Sequence, residues 1–179
     1  MRLLLLAALA VSLSASTRAQ HDHDHDHSAP PPTESSVTAD GPVPTGLSAS
    51  DVNGLLAGAG MGLAKPAELH SYPGPLHVLE HAEALGLTDE QRTATEALRA
   101  EVVRRAPEVG ARIVGMERHL DELFASGRAT DATVDRITGH IARARGELRA
   151  LHLRIHIAMR DLMTAEQIAA YDRLRGYTE

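Results

Sequence analysis

Apolar residues recur in steps of three and four along two long stretches of the second half of the chain. The first stretch begins near Thr88 and reaches Ser126, and the second runs from Val134 to Leu162. Such steps place apolar side chains on one face of an α-helix, and the regular alternation in the second stretch is typical of a coiled-coil seam. The predicted apolar positions are Leu98, Val102, Ala106, Val109, Ile113, Met116, Leu120 and Leu123, then Val134, Ile137, Ile141, Ala144, Leu148, Leu151, Ile155, Ala158 and Leu162.

The segment between these two helices is short. Gly127 is suited to end the first, and Thr130 or Asp131 to cap the second. A short connection makes neighbouring helices antiparallel, so the pattern predicts a long helical hairpin. Pro107 lies inside the first helix and predicts a bend there.

A short helix is predicted at each end of the hairpin, one over residues 76–85 before Gly86 and one after Thr164. Upstream, residues 51–75 are rich in glycine, and we expect a linker with a short helix capped by Asp51, lying loosely against the domain. The expected fold class is all-α, a long bent antiparallel hairpin flanked by short helices. Residues 76–179 form the expected domain.

The N-terminal region has a different composition. Arg2, the apolar run 3–13 and the small residues around Arg18 predict a cleaved signal peptide over residues 1–19. Residues 20–50 combine a His/Asp-rich segment with a Pro/Ser-rich segment and predict a disordered tail. Together these features predict a periplasmic protein without stable membrane insertion.

Composition excludes several classes of function. The chain has a net charge of −6, no cysteine and only four aromatic residues other than histidine. These values exclude disulfides and thiolate metal sites and argue against a nucleic-acid partner. There is no P-loop, so ATP-driven activity is not expected.

Histidines are the candidate metal ligands, because imidazole suits zinc, copper, nickel and cobalt. His21, His23, His25 and His27 alternate with aspartates in the tail and predict a flexible metal-capturing segment. In the folded domain, His77 and His81 are four residues apart, as are His152 and His156, and Met159 shares the flank of the second pair. The alternative for these domain histidines is an ordinary amphipathic surface.

Two near-copies of one motif frame the hairpin. Leu87, Thr88 and Gln91 form the first, and Met163, Thr164 and Gln167 form the second. Each threonine and glutamine fit a capping box, which begins a helix. On these motifs the chain resembles the periplasmic Spy/CpxP family of LTxxQ-motif proteins, which includes ZraP-like and CnrX-like metal-responsive relatives.

The resemblance implies a dimeric, bent helical hairpin that is not an enzyme. It implies an ATP-independent stress chaperone for unfolded or misfolded envelope proteins, or a heavy-metal sensor or metallochaperone whose partner is a membrane sensor kinase or anti-sigma factor. It also implies metal ligands at His77, His81 and Met159, with His156 or His152 beside them. The family's glutamate position falls at Arg99, with Glu96 nearby.

A third hypothesis is a zinc peptidase, because His77, Glu80 and His81 match the pattern H-x-x-E-H. That class needs a much larger α+β scaffold, so we rank it last. Leu153 and Ile157 are apolar positions off the predicted seam, and surplus apolar surface predicts a homodimer. The alternative is that residues 51–65 or the short helices cover them.

Overall fold

A computed structural model of the protein describes residues 41–177. These residues form six helices and no strand: α1 (Ala49–Ala57), α2 (Lys65–Glu68), α3 (Pro75–Glu80), α4 (Asp89–Ala125), α5 (Asp131–Leu162) and α6 (Ala165–Leu174). The all-α prediction is therefore confirmed. No helix within 41–177 is both long enough and apolar enough to cross a membrane.

The two long helices pack side by side as the predicted hairpin. Arg112 pairs with Glu147 at 2.7 Å and Arg145 with Glu117 at 2.9 Å, so residue numbers rise on α4 as they fall on α5, which makes the helices antiparallel. The predicted stripes form the core between them, with Ile113 fully buried and Leu148 and Leu151 almost so. Pro107 lies inside the continuous α4, and the bend predicted there stays a prediction.

The C-terminal half of α5 differs from the predicted seam. His152, His156 and Met159 are buried, whereas Ala158 and Leu162 are only partly so. The buried face of this half is therefore rotated towards the histidines, because α2, α3 and the segment between them also pack there. The histidines are not the exposed surface residues of the alternative interpretation.

The N-terminal part of the described chain is more closely packed than we expected. Ser48 caps α1, and Asp51 stands three residues later, closing the capping box rather than beginning the helix. The helix starts before residue 50, where the sequence predicted tail. Val52 and Leu55 are buried against α4, so this segment does not lie loosely against the domain.

The first flanking helix is shorter than predicted. α3 ends at Glu80 rather than Leu85, since His81 leaves helical geometry with φ −107° and ψ 18°. Residues 81–86 continue as hydrogen-bonded turns that bury Ala82 and Leu85. Gly86 still ends the segment as predicted, with φ +60°, where glycine carries no steric cost.

Candidate functional site

The two motif copies begin helices α4 and α6. The Thr88 hydroxyl accepts a hydrogen bond from the Gln91 amide at 3.1 Å, and the Gln91 side chain accepts one from the Thr88 amide at 3.1 Å. Thr164 and Gln167 repeat this arrangement at 3.2 and 2.9 Å. Both predicted capping boxes are therefore confirmed.

The two glutamines also bind each other, which the sequence did not predict. Each carboxamide nitrogen donates to the other side chain's oxygen at 2.9 Å. The Gln91 nitrogen also donates to the Leu162 carbonyl at 2.8 Å, and the Gln167 nitrogen reaches the Leu85 carbonyl at 3.3 Å. We call this pair the glutamine clasp; it joins the starts of α4 and α6 to the ends of the segments before them.

An apolar cluster lies beside the clasp. Met163, where the first motif copy has leucine, is buried together with Val78, Leu85, Met159 and Tyr171. Met159 is fully buried, so its sulfur belongs to this packing and not to the surface. The second copy's methionine thus fills core volume, as leucine would.

The buried histidines of α5 face the segment between α2 and α3. The Nδ1 atom of His156 lies 2.8 Å from the Tyr72 carbonyl, which identifies it as the protonated nitrogen. Its Nε2 atom lies 4.0 Å from the Glu68 carboxylate. His152 carries a buried Nε2 with no hydrogen-bond partner in residues 41–177, and burial, followed by the nearby His156, lowers its pKa.

Further contacts hold this segment to α5 and α6. The Arg160 guanidinium donates to the Ser71 carbonyl at 2.6 Å and lies 4.5 Å from the centre of the Tyr72 ring. Ser71 adopts φ +63° and donates its hydroxyl hydrogen to Asp172 at 2.6 Å. The turn is therefore fixed on both sides, and with it the position of Glu68 and Tyr72 around His156.

The other predicted ligands are not gathered around these histidines. His77 contacts Glu80 at 2.7 Å through Nδ1, and His81 follows the end of α3, where its amide still donates to the His77 carbonyl at 3.1 Å. Glu96 lies on the exposed side of α4. No three His, Cys, Asp or Glu side chains of residues 41–177 form a metal-binding group. The tail histidines lie outside the described residues.

An open groove of about 730 Å³ lies between α4 and α5, towards the turn of the hairpin. Met116, Ile137 and Ala144 contribute apolar surface to it, and Arg112 and Arg143 contribute positive charge. His119 and His140 also line it, one from each helix. We call this concavity the hairpin groove.

Sequence reasoning missed the residues that depend on long-range contacts. Glu68 and Tyr72 lie in a stretch with no helical pattern, so nothing in the sequence linked them to His156. Tyr72, whose carbonyl contacts the His156 ring, is 84 residues away along the chain. The glutamine clasp had a signal, because two equal capping boxes framed the hairpin. No sequence signal indicated that the two glutamines lie within hydrogen-bonding distance of each other.

Comparison with known proteins places these features in a family. Residues 77–175 match the model of the LTXXQ motif family protein, which is more than half of the chain. No curated protein and no solved structure gives a significant match. The family is a typically periplasmic, non-enzymatic group of chaperone-like and adaptor proteins, which points away from the peptidase hypothesis. With both motif copies at the starts of α4 and α6, the chain belongs to the LTXXQ motif family.

Proposed function

We propose that the protein is a periplasmic, ATP-independent stress chaperone or adaptor that holds unfolded or misfolded envelope proteins. The hairpin groove is the observation that carries this proposal. Its apolar surface suits exposed aliphatic side chains of a client, and its arginines suit backbone carbonyls and acidic side chains. The predicted signal peptide, which lies outside the described residues, would deliver the chain to the periplasm.

The hairpin groove is open to solvent, and its arginines are exposed. Arg143 is exposed on α5, and Arg112 is held by its ion pair with Glu147. Beyond the groove, Phe124 is 61% exposed near the end of α4. An open surface of mixed arginine and aliphatic character binds many sequences weakly, as a holding chaperone requires.

Suppression of a model client's aggregation tests this proposal. Full-length protein with chelator, at a concentration equal to that of the client, is expected to suppress light scattering without nucleotide. Arg143→Glu reverses a groove charge and is expected to weaken suppression. Arg149→Glu makes the same change on an exposed part of α5 outside the groove and is the matched control.

Two results count against the proposal. Absence of suppression by the wild-type protein would remove the chaperone function. Equal loss in Arg143→Glu and Arg149→Glu would leave suppression intact as an activity but would show that general charge, and not the hairpin groove, accounts for it.

A second candidate function is divalent-metal binding, as a sensor or metallochaperone acting with a membrane signalling partner. It is favoured by the unpartnered Nε2 of His152 and by the His156 ring, whose Nδ1 bond to a carbonyl leaves Nε2 free to coordinate. Glu68 would have to move closer to complete such a site, since its carboxylate is 4.0 Å from His156. Zinc, copper, nickel and cobalt all suit this donor set.

Calorimetric metal titration separates the domain from the tail. One variant replaces His21, His23, His25 and His27 by alanine, and a second adds His152→Ala and His156→Ala. Tight binding that survives the first variant and is lost in the second supports a domain site. Loss of all tight binding in the first variant would confine metal capture to the tail, and His77→Ala with His81→Ala tests the remaining pair.

A further inference from the structure

Helix α1 lies on α4 and is not part of the family-matched segment. α1 spans Ala49–Ala57, whereas the match begins at residue 77. Within the described chain, α1 contributes Val52 and Leu55 to the core cluster formed with the hairpin. The residues of α4 on this side include Val109, Ile113 and Val114, all nearly or fully buried. An apolar face of the family hairpin is thus covered by an element from outside the family match.

The contact of α1 with α4 depends on one glycine. A β-carbon placed on Gly110 would overlap the carbonyl oxygen of Leu55, because the backbone of α1 crosses α4 directly above it. Glycine in the middle of a helix costs about 1 kcal/mol relative to alanine, so its presence here fits the close approach of α1. We call this region of α4, centred on Gly110, the α1 seat.

Side-chain hydrogen bonds at the surface hold the segment that precedes α1. Thr45 donates to the Asp121 carboxylate from its amide and from its hydroxyl, each at 2.6 Å. Arg118 donates to the carbonyl oxygens of Pro42 and Gly41 at 3.0 and 3.3 Å. Exposed hydrogen bonds of this kind are individually weak, since water competes for both partners.

The segment that follows α1 is held by few side chains: within residues 58–64, Ala64 is buried and Leu63 packs partly against the core. Residues 58–64 form turns with positive φ at Gly58, Met61 and Gly62, and only two side chains of α1 itself are buried. A helix of nine residues does not persist alone in water. Release of α1 would therefore uncover the seat and leave α1 without a regular structure of its own.

We infer that α1 is an intramolecular cover over a second client-binding face, and that an apolar segment of an unfolded polypeptide replaces it on the α1 seat. This inference rests on the proposed chaperone function. The residues of α1 describe the ligand, which is a short segment with aliphatic side chains spaced as Val52 and Leu55 are. Client binding at the seat then competes with α1, which keeps the apolar face covered when no client is present.

Gly110→Ala tests the inference, because the new methyl group collides with α1 while alanine favours the helix of α4. Gly146→Ala is the matched control: it makes the same change inside α5, no atom lies within 4 Å of a β-carbon at that position, and it lies outside the hairpin groove. Leu55→Asp is a second way to release α1 without altering α4, with Asn53→Asp on the exposed side of α1 as its control. Hydrogen exchange of the α1 amides reports release, and client light scattering reports function.

Loss of α1 protection in Gly110→Ala and Leu55→Asp, with about a tenfold lower protein concentration for half-suppression, supports the inference. Suppression by these variants when the wild type is inactive overturns it, because the inference requires a client to displace α1 from the wild-type protein. Released α1 with unchanged or weaker suppression overturns the inference and leaves the proposed function standing if the wild type is active. Retained α1 protection in both variants overturns it as well. So does release of α1 that is followed only by formation of larger assemblies. Absence of suppression by every protein rejects both proposals.

Discussion

Gln91 and Gln167 each use the full hydrogen-bonding capacity of a carboxamide. Each oxygen accepts from the amide of its own helix cap and from the other glutamine, and each nitrogen donates to a main-chain carbonyl and to the other glutamine. A fully satisfied, partly buried network strengthens its members and penalises any single loss. This explains why the motif specifies glutamine at both positions, where glutamate would lack the donors.

We expect Gln91→Ala to lower the free energy of unfolding by about 2–4 kcal/mol, because it removes half of a capping box and deprives the partly buried Gln167 side chain and Leu162 carbonyl of a hydrogen-bond partner. Thr133→Ala is the control, as Thr133 holds the same capping-box position in α5 with a box formed only with Thr130. That change is expected to cost about 1 kcal/mol or less. Urea denaturation measures both, and equal costs would contradict a structural role for the clasp.

A double-mutant cycle on Gln91 and Gln167 separates the clasp from the two caps. If the glutamines act together, the double alanine variant loses less stability than the sum of the single variants, by about 1 kcal/mol or more. Additive costs would show that each glutamine acts only on its own helix start.

His152 is expected to make stability depend on pH. Burial lowers the pKa of its imidazole, so the folded protein binds this proton less readily than the unfolded chain. Stability is therefore complete above the unfolded pKa of about 6.5 and falls as the pH drops below it towards the lowered folded pKa. With chelator present, His152→Leu should flatten the loss of stability between pH 7 and 5, because leucine does not titrate. It also removes a buried unpaired nitrogen.

The exposed His119 offers the comparison for this experiment. His119→Leu removes a histidine whose side chain is 51% exposed, and the pH profile of stability should then follow that of the wild type. A wild-type profile with no loss between pH 7 and 5, or an unchanged profile in His152→Leu, would contradict the assignment.

At the scale of elements, sequence periodicity predicted the hairpin because α4 and α5 each repeat a strong local pattern over about seven turns or more. Their boundaries followed from Thr88 and Thr130, which are local capping signals. The position of α1 was not predictable in this way. Its seat depends on Gly110, which in the sequence is only a glycine inside a helix and becomes informative once Leu55 is known to cross it.

The rotation of the buried face of α5 has a similar cause. A seam pattern predicts contacts with one partner helix, whereas His156 also packs against the segment carrying Glu68 and Tyr72. The candidate ligands could therefore be named from their spacing along a helix. The surroundings of each imidazole could not be predicted without the path of the chain between α2 and α3.

The contact of Asp121 with the segment before α1 should weaken in acid. Hydrogen bonds from Thr45 lower the pKa of Asp121, so the contact is present above the ordinary carboxyl range and is lost as the pH falls through the lowered value. Hydrogen exchange of the α1 amides should be unaffected by this carboxylate from pH 8 to about 5, and protection should fall below about pH 4.

Asp121→Asn isolates this carboxylate, because an amide can accept only at one oxygen and carries no charge. Protection of α1 is expected to be lower at neutral pH and less dependent on acid than in the wild type. Glu122→Gln, the exposed neighbouring carboxylate, is the control. Identical acid profiles in Asp121→Asn and the wild type would exclude this contact as the pH-sensitive element.

Over the whole molecule, the hairpin presents three different surfaces. The α1 seat includes Gly110 and Val114, and the hairpin groove includes Arg112 and His119. At about 100° per residue, both seat residues lie about 140–180° around α4 from both groove residues, on the opposite side of the helix. A client at the groove therefore does not need to displace α1, and the two proposed binding faces are separable by mutation.

The third surface is the outer side of α5, which supports the predicted homodimer. Ile157 is 50% exposed and stands with the partly buried Leu153 opposite the core face, so residues 51–65 do not cover it. Small residues continue this side towards the hairpin turn at Gly139, Ala142, Gly146 and Ala150. A stripe without large side chains permits close approach of another helix, and the exposed apolar side chains at its end would be removed from water by a second copy.

Ile157→Asp is expected to weaken dimerisation about tenfold or more, because it places an unpaired charge in the apolar end of this stripe. Its effect on the stability of the monomer should be small, since the side chain lies opposite the core. Val103→Asp is the matched control, as Val103 is 56% exposed on α4. Sedimentation equilibrium of the three proteins measures the association constants. If association is unaffected by Ile157→Asp but lost in Val103→Asp, the interface lies on the outer side of α4. If the wild type is monomeric, the predicted homodimer is wrong.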